Sequence, residues 1–310
     1  MTRISSVLGS AVLILSCTFA SAQIREKASD KLGAEVVSPA VATTYKFTEV
    51  NYPGDTFTQL LGINKAGVIA GYHGSALTPQ NPNKGFTVTL PNHFTSQNFP
   101  GSAQTQVIGI NNSNSTSGFY VDSAMNTHGF YQIGGVFKTV DFPGTTFNQV
   151  LGWNNENQGA GYSQDSAGNF HPYVADKTAV FESLVAPGIP SAQATSANDI
   201  GTVVGFYIDS NQVNHGFVLM GGTILNLNYP GATFTQAFGV NNLNEVVGTY
   251  IDTSANQHGF VWKAGAFQSI DDPNGIGTTV TNGINDAGTV VGFWGNVGAG
   301  ISHGFVAMPQ

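Results

Sequence analysis

The residues with the clearest chemical potential are histidines that recur at a fixed spacing. Five of the seven histidines open a short apolar segment, and four of these follow an aspartate by six residues. The four pairs are Asp122 and His128, Asp165 and His171, Asp209 and His215, and Asp252 and His258, and the fifth histidine is His303. Carboxylate and imidazole groups gathered on one face could bind a sugar or a hard metal ion. The structural alternative is that each aspartate caps its own loop as an Asx-turn while the histidine hydrogen-bonds across a hairpin.

A set of glutamines recurs with the same period. Each lies five residues before an asparagine that is suited to a tight turn, and Val280 holds the sixth place. The glutamines are Gln59, Gln106, Gln149, Gln193 and Gln236. Such amides could contact a ligand, and we include Gln59, Gln106, Gln149 and Gln236 among the candidate ligand-binding residues. The alternative is that each amide bonds to the backbone of a neighbouring repeat, because a buried amide needs partners.

Both sets belong to one repeat that occurs six times. Its turn asparagines are separated by 47, 43, 44, 43 and 44 residues, and lie at Asn64, Asn111, Asn154, Asn198, Asn241 and Asn285. A glycine follows each asparagine by seven residues, and five of the repeats carry a Pro-Gly corner. Each repeat contains short runs of Val, Ile, Phe, Tyr and Thr separated by Gly, Pro and Asn, which indicate strands and turns. About 43 residues hold four short strands, the content of one propeller blade.

The two ends of the chain predict how the repeats close. We name the four strands of a repeat A, B, C and D in chain order. The last repeat stops at Gln310 after its C strand, whereas a D-type segment, residues 45–54, precedes the first repeat. The sequence therefore predicts an all-β, six-bladed β-propeller of four-stranded antiparallel blades, in which the N-terminal strand completes the last blade. Such closure removes exposed sheet edges.

The N-terminal residues are typical of a signal peptide. Arg3 precedes a mostly apolar stretch, and Ala20-Ser21-Ala22 forms a small-residue cleavage site. We expect a signal peptide over residues 1–22, a linker or loosely ordered arm over 23–44, and a single propeller domain over 45–310. An uncleaved anchor is disfavoured because the apolar run is shorter than the roughly 20 residues that span a bilayer. A lipoprotein attached through Cys17 fits the lipidation pattern poorly, so the expected location is periplasmic or secreted.

The amino-acid composition excludes some classes of partner and of metal site for this chain. Cys17 is the only cysteine, so the mature chain would have no disulfide and no cysteine-based metal site. Charged residues make up 9% of the chain, the net charge is −8 and the basic residues are scattered, which disfavours nucleic acid. We expect a monomer without a transmembrane segment in the mature chain. No cofactor is expected; calcium remains the open alternative, although the loops lack the D-x-D-x-D-G pattern of a dedicated site.

One sector departs from the repeat symmetry. The first B–C loop is long, and Lys84 replaces the histidine that opens the other C strands. The last B–C loop has no aspartate. If the propeller closes, these two blades are neighbours, and His73, Lys84 and Trp294 could line one special sector. The alternative is relaxed sequence beside the closure.

The C strands carry a short signature. It reads HGF at 128–130, 215–217, 258–260 and 303–305, HPY at 171–173 and KGF at 84–86. With its turn and its Pro-Gly corner, this signature resembles the HAF family of extracellular repeats, which is named for a His-Ala-Phe motif. The resemblance covers residues 45–310 and implies a secreted bacterial protein. It implies no particular activity and no catalytic residues.

Function remains a choice among three hypotheses at this point. We expect an exported, non-catalytic propeller that binds a carbohydrate or another extracellular macromolecule through the face that bears the B–C and D–A loops. The chain lacks recognisable hydrolase, zinc-protease and nucleotide-binding motifs. The first alternative is a polysaccharide hydrolase or lyase on a propeller scaffold. The second is a structural surface-assembly module.

Overall fold

The computed structural model describes residues 42–75, 78, 80–184 and 191–310. The predicted signal peptide, most of the predicted arm and the corner at Pro187 lie outside the described residues. In the described part of the chain, 24 strands form six separate antiparallel sheets of four strands each. The one helical segment there is a short 3-10 turn at Val297–Ala299. The predicted fold class is confirmed.

Each sheet is one blade, and its strands follow one another in chain order. Blade 1 contains β2 (Thr58–Ile63), β3 (Ile69–His73), β4 (Lys84–Thr89) and β5 (His93–Ser96). Blade 2 contains β6 (Gln104–Ile110), β7 (Thr116–Val121), β8 (Thr127–Ile133) and β9 (Val136–Val140). Blade 3 contains β10 (Asn148–Val150), β11 (Gln158–Gln164), β12 (Phe170–Asp176) and β13 (Phe181–Ser183).

The second half of the chain repeats this order. Blade 4 contains β14 (Ala192–Ala197), β15 (Val203–Ile208), β16 (Asn214–Met220) and β17 (Thr223–Leu227). Blade 5 contains β18 (Phe234–Val240), β19 (Val246–Ile251), β20 (Gln257–Lys263) and β21 (Ala266–Ile270). Blade 6 contains β22 (Thr279–Ile284), β23 (Val290–Trp294), β24 (His303–Pro309) and, at its edge, β1 (Tyr45–Glu49).

The N-terminal strand closes the ring as predicted. Strand β1 pairs antiparallel with β24, in a register that runs from Tyr45 opposite Pro309 to Glu49 opposite Phe305. The first and last strands of the described chain are thereby held in one sheet, and the last blade gains its fourth strand from residues 45–49. This pairing covers the strand edge that β24 would otherwise expose.

The A–B turns have the conformation that their residues predict. The third residue after each turn asparagine has a positive φ between +58° and +82°. It is always glycine or asparagine, the two residues that adopt this left-handed conformation most readily: Gly67, Asn114, Asn157, Gly201, Asn244 and Gly288. Its backbone N–H donates to the carbonyl of the turn asparagine, which closes a tight hairpin.

The aromatic residue of the C-strand signature fills the interior of each blade. Phe86, Phe130, Phe260 and Phe305 are fully buried, and each burial contributes about 1.5–3 kcal/mol. Each ring lies over the glycine of the adjacent B strand. A Cβ atom on any of these glycines would lie 1.9–2.3 Å from the carbonyl oxygen of the A-strand residue that precedes its register partner. The glycine seven residues after each turn asparagine is therefore required by close approach.

Glycines on the A strands let the six innermost strands approach one another around the axis. A Cβ atom at Gly62, Gly109, Gly152, Gly239 or Gly283 would lie 2.5–2.7 Å from the backbone of the next innermost strand. Blade 4 is the exception, because Ser196 takes this place. Bulges at this point shift the pairing of the A and B strands in five blades. The A strands therefore form a narrow channel.

Candidate functional site

The histidine of blade 2 lies between two carboxylates. His128 Nδ1 is 2.7 Å from Asp141 Oδ2, and its Nε2 is 3.2 Å from Asp122 Oδ2. Asp122 comes from the B–C loop, and Asp141 follows the D strand. Blade 5 repeats the arrangement, with His258 Nδ1 2.8 Å from Asp271 Oδ2 and its Nε2 3.5 Å from Asp252 Oδ2. Each imidazole thus joins two loops of its own blade.

The other blades keep only part of this arrangement. His171 and His215 contact Asp165 and Asp209 at 2.9 and 3.1 Å, and the second partner of His215 is the amide of Asn228. In blade 6, His303 Nδ1 is 3.1 Å from Glu49 Oε1 on the N-terminal strand. Sequence reasoning missed Asp141 and Asp271. Their fixed spacing of 13 residues after the histidine was the signal that could have identified them.

The B-C loop aspartates form the Asx-turns of the structural alternative. Asp122 Oδ1 accepts hydrogen bonds from the backbone N–H groups of Ala124 and Asn126 at 2.8 and 2.9 Å. Three other aspartates do the same with the residues two and four positions later: Asp165, Asp209 and Asp252. One oxygen of each carboxylate therefore shapes its loop, and the other faces the histidine.

These contacts shift the pKa values of Asp122 and His128. Hydrogen bonds from Asn126, together with those from His128 and Ala124, lower the pKa of Asp122 to about 2. Burial alone would lower the pKa of His128, but its bonds to Asp141 and Asp122 outweigh burial and raise it. His73 shows the opposite balance, because burial outweighs its bond to Asp55 and lowers the pKa of the imidazole. The pKa values of these two histidines therefore shift in opposite directions.

Stacked rings accompany the histidines on this face. Phe99 stacks on Tyr120 with ring centroids 3.7 Å apart, and Tyr120 stacks on His128 at 5.0 Å. In blade 5, Tyr229 stacks on Tyr250 at 3.6 Å, and Tyr250 on His258 at 5.0 Å. The first ring of each stack precedes the Pro-Gly corner and is half-buried. Blades 2 and 5 therefore present the same pattern, in which two stacked aromatic rings lead to a histidine that contacts two carboxylates.

The predicted asymmetric sector is divided between two different environments. His73 stacks on Tyr52 with ring centroids 3.5 Å apart, and its Nδ1 is 3.0 Å from Asp55 Oδ2. It lies opposite Lys84 in the register of β3 and β4. Trp294 instead stacks on His303 at 4.3 Å, within blade 6. The two blades are joined where the backbone of Ser302 bridges Thr56 and Thr58. The structure thus makes the two blades neighbours, but it gives His73 and Trp294 different partners.

Metal-ligating side chains do not gather in the part of the chain that the structure describes. No group there of three or more His, Cys, Asp or Glu side chains could hold a metal ion. The calcium alternative in the B–C loops therefore gains no support from this geometry. Among the same residues, no helix is long and apolar enough to cross a membrane.

The opposite face carries a closed ring of hydrogen bonds. The Nδ2 group of each turn asparagine donates to the backbone carbonyl of the corresponding asparagine in the next blade at 2.9–3.2 Å. The ring runs through Asn64, Asn111, Asn154, Asn198, Asn241 and Asn285 and returns to Asn64. Each Oδ1 also accepts two backbone N–H groups of its own turn, as in Asn111 with Ser113 and Ser115. These side chains bind the blades to one another.

A second ring lies one residue further along each turn, and it is open at one point. Five backbone N–H groups donate to the side-chain oxygen of the equivalent residue in the next blade at 2.8–3.0 Å. The members are Lys65, Asn112, Asn155, Asp199, Asn242 and Asp286. A lysine side chain cannot accept a hydrogen bond, so the ring is interrupted between Asp286 and Lys65. This end of the channel therefore has a polar rim with two carboxylates and one ammonium group.

The innermost strands enclose a cavity of about 200 Å³ behind this rim. Its wall includes A-strand residues of all six blades and the two rings of turn residues. None of the described residues of the B–C loops or the D–A corners lines it. The cavity therefore extends from the A–B rim along the A strands to the glutamines, and its lining does not include the histidine and aspartate pairs.

The glutamines of blades 1 to 3 line this cavity with unpaired amide groups. Gln59, Gln106 and Gln149 are at most 2% exposed, and their Nε2 atoms have no hydrogen-bond partner in the described structure. The expectation that each glutamine bonds to the backbone of a neighbouring blade is wrong for these three. The Oε1 atoms of Gln59 and Gln149 accept from the hydroxyls of Tyr72 and Tyr162 in their own blades.

The remaining glutamines differ. Gln106 faces Phe119 across the strand pair, and neither of its amide atoms has a partner among the described residues. Gln236 donates from Nε2 to Asn214 Oδ1 at 3.0 Å and does not line the cavity. Gln193 lines the cavity from blade 4. The structure therefore brings Gln59, Gln106 and Gln149 together and leaves Gln236 apart.

The fold and the axial channel define the class of this protein as a six-bladed β-propeller. It is similar to AofleA from Arthrobotrys oligospora, with a TM-score of 0.52, 13% identity and coverage of 83% of this chain and 84% of that one. It is also similar to the SapL1 lectin in complex with alpha methyl fucoside, with a TM-score of 0.51, 10% identity and coverage of 77% and 88%. No family model and no curated protein matches the chain. Identities this low show a shared fold alone.

Proposed function

We propose that this protein is an exported, non-catalytic propeller that binds a neutral glycan through the face that bears its B–C and D–A loops. The observation that carries the proposal is the repeated pattern in blades 2 and 5, where a half-buried aromatic ring begins a stack that ends at a histidine held between two carboxylates. An apolar ring and a few oriented polar groups are the usual components of a small-molecule site. Sugars offer both an apolar ring face and hydroxyl donors.

Charge determines the class of glycan. The chain carries a net charge of −8, and four of its carboxylates, those of Asp122, Asp141, Asp252 and Asp271, lie on the loop face. An acidic polysaccharide would be repelled, whereas neutral hydroxyl groups can donate to these carboxylates. A structure of the SapL1 lectin, which has a similar fold, is of its complex with alpha methyl fucoside, so fucosides belong in the test panel. Export through the N-terminal signal peptide and membership of the HAF family are parts of the same proposal.

Aspartate-to-asparagine substitutions test the proposed face. Asparagine can keep the Asx-turn of a B–C loop, because its Oδ1 accepts the same backbone N–H groups, but it removes the carboxylate charge. We expect Asp122→Asn combined with Asp252→Asn to abolish binding on an array of neutral glycans, with the chain starting at Gln23. Folding is verified by thermal unfolding.

Asp176 offers a matched control on the other face. Its Oδ1 accepts the backbone N–H groups of Thr178 and Val180 in the C–D turn of blade 3, in the same pattern as the loop aspartates. Asp176→Asn should leave glycan binding unchanged. Wild-type binding by the Asp122/Asp252 double variant would exclude the loop face as the site.

A structural surface-assembly module is the second candidate. It is favoured by one observation: the histidines and aspartates of the B–C loops are hydrogen-bonded within their own blades. Such a module would give a blank glycan array with folded protein and no saturable binding of any sugar. The search would then turn to protein partners.

A further inference from the structure

We propose that the axial cavity at the A–B face is a second binding site, which holds one neutral, oxygen-rich molecule of single-ring size, such as a monosaccharide or a cyclic polyol. This site is separate from the loop face, and the proposal does not rest on glycan binding there. The proposal rests on the unpaired amide atoms, on the aromatic residues of the cavity wall, on the cavity volume and on the charge of the rim.

The first step concerns the amides. Gln59, Gln106 and Gln149 come from three consecutive blades and line one side of the cavity. Three Nε2 donors and the Oε1 acceptor of Gln106 have no partner among the described residues. A buried amide without a partner is costly, so groups of this kind are usually satisfied by something bound. The donors outnumber the acceptors, which favours a molecule with several acceptor oxygens along one edge.

The second step concerns the opposite wall. Blades 4 to 6 face blades 1 to 3 across the axis of a six-bladed ring. A buried apolar cluster of Phe206, Phe238, Val280 and Phe293 belongs to these blades, and Phe206 and Phe238 line the cavity. Their rings meet edge to face at 6.3 Å. The cavity thus has aromatic residues across the axis from the three glutamines, and Tyr72, Phe119, Trp153 and Tyr162 add aromatic residues on the glutamine side. Aromatic surface beside amide groups fits a ring-shaped molecule with an apolar face and a polar edge.

Size and charge complete the description. A cavity of about 200 Å³ is smaller than the sites of roughly 300–1,000 Å³ that hold drug-sized ligands, and larger than the roughly 150 Å³ that hold one benzene ring. One substituted six-membered ring fits this range. The rim carries two carboxylates, Asp199 and Asp286, against the single ammonium group of Lys65, within a chain of net charge −8. An anion would be repelled, so the ligand class is neutral.

The test is calorimetric titration of the mature protein with four probes: L-fucose, D-galactose, D-glucose and myo-inositol. We expect saturable binding of at least one probe, with one molecule bound per chain when the loop face carries the Asp122→Asn and Asp252→Asn substitutions. Gln106→Leu should weaken this binding at least about fivefold, the equivalent of one neutral hydrogen bond, without lowering the melting temperature. Leu151→Trp, which adds bulk to the cavity wall, should abolish binding through lost volume alone.

Two controls separate the cavity from the rest of the molecule. Gln236→Leu makes the same substitution outside the cavity and should leave probe binding unchanged. The Asp122/Asp252 double variant should also bind the probe as the wild type does, even where it has lost the glycan array signal. The proposal is overturned if none of the four probes binds, if both cavity variants bind as the wild type does, or if the loop-face double variant abolishes probe binding.

Discussion

The turn asparagines and the glutamines five residues before them are the same kind of side chain on the same innermost strands, yet they have different surroundings. In every blade the turn asparagine donates to a carbonyl of the next blade, and the six bonds close into a ring. The glutamines have no common partner. Gln59 and Gln149 bond to tyrosines, Gln236 bonds to Asn214, and Gln106 faces Phe119 without a bond.

The comparison shows that residues which recur with the same period need not have the same role. A side chain whose partner is backbone finds that partner in every repeat, because the backbone does not vary. A side chain whose partner is another side chain depends on a second position that is free to change. The asparagines therefore hold the ring together, whereas the glutamines vary from blade to blade and leave three buried donors without a partner in residues that line the cavity.

The largest expected effect comes from breaking the asparagine ring. Asn111→Ala removes the bond to the Asn154 carbonyl and the two bonds from the backbone of Ser113 and Ser115. We expect the free energy of unfolding to fall by about 3 kcal/mol, about 1 kcal/mol for each bond, measured by denaturant titration. The control is Asn112→Ala, an exposed residue of the open second ring, which should cost less than about 1 kcal/mol. Equal losses in the two variants would mean that the closed ring has no special role.

The second prediction compares two glutamines. Gln59→Leu leaves the buried Tyr72 hydroxyl without its acceptor, so we expect a loss of about 1–2 kcal/mol in the free energy of unfolding. Gln106→Leu removes a buried amide that has no partner, so it should remove a desolvation cost and raise the free energy of unfolding by about 1 kcal/mol. Both are measured by denaturant titration without sugar. The comparison fails if Gln106→Leu costs as much as Gln59→Leu.

The third prediction gives blade 2 the tyrosine that blades 1 and 3 have opposite their glutamines. Phe119 occupies the place that Tyr72 and Tyr162 hold in blades 1 and 3, opposite the glutamine. Phe119→Tyr should give the Gln106 amide the partner that its counterparts have and raise the free energy of unfolding by about 1 kcal/mol. The same change in a Gln106→Leu background should give no gain, and a gain there would show that the hydroxyl bonds elsewhere.

Much of this fold was predictable from residues that the backbone conformation requires. The blade count, the strand order and the closure by residues 45–49 were predictable, because glycines and turn asparagines mark each blade and the last repeat lacks a fourth strand. The bond partners were not predictable in the same way. Whether Gln106 is paired depends on Phe119, 13 residues later on another strand, and whether His128 meets a second carboxylate depends on Asp141. Both depend on cross-strand register, which a repeat period alone does not fix.

The smallest expected effect is on the melting temperature at acid pH. It distinguishes the loop face, whose aspartates titrate there, from the cavity amides, which do not. Hydrogen bonds hold the pKa of Asp122 at about 2 in the folded protein, below its ordinary value of 3.8. A lowered carboxyl pKa contributes stability above the unfolded value, and this contribution is lost as pH falls from about 4 to about 2. Asp122→Asn should therefore flatten the dependence of the melting temperature on pH in that window, with a small effect because the carboxylate is exposed. Gln106→Leu should keep the wild-type pH profile, since its amide binds no proton over this range. An unchanged profile in Asp122→Asn would mean that the Asx-turn and the bond to His128 do not hold the carboxylate ionised.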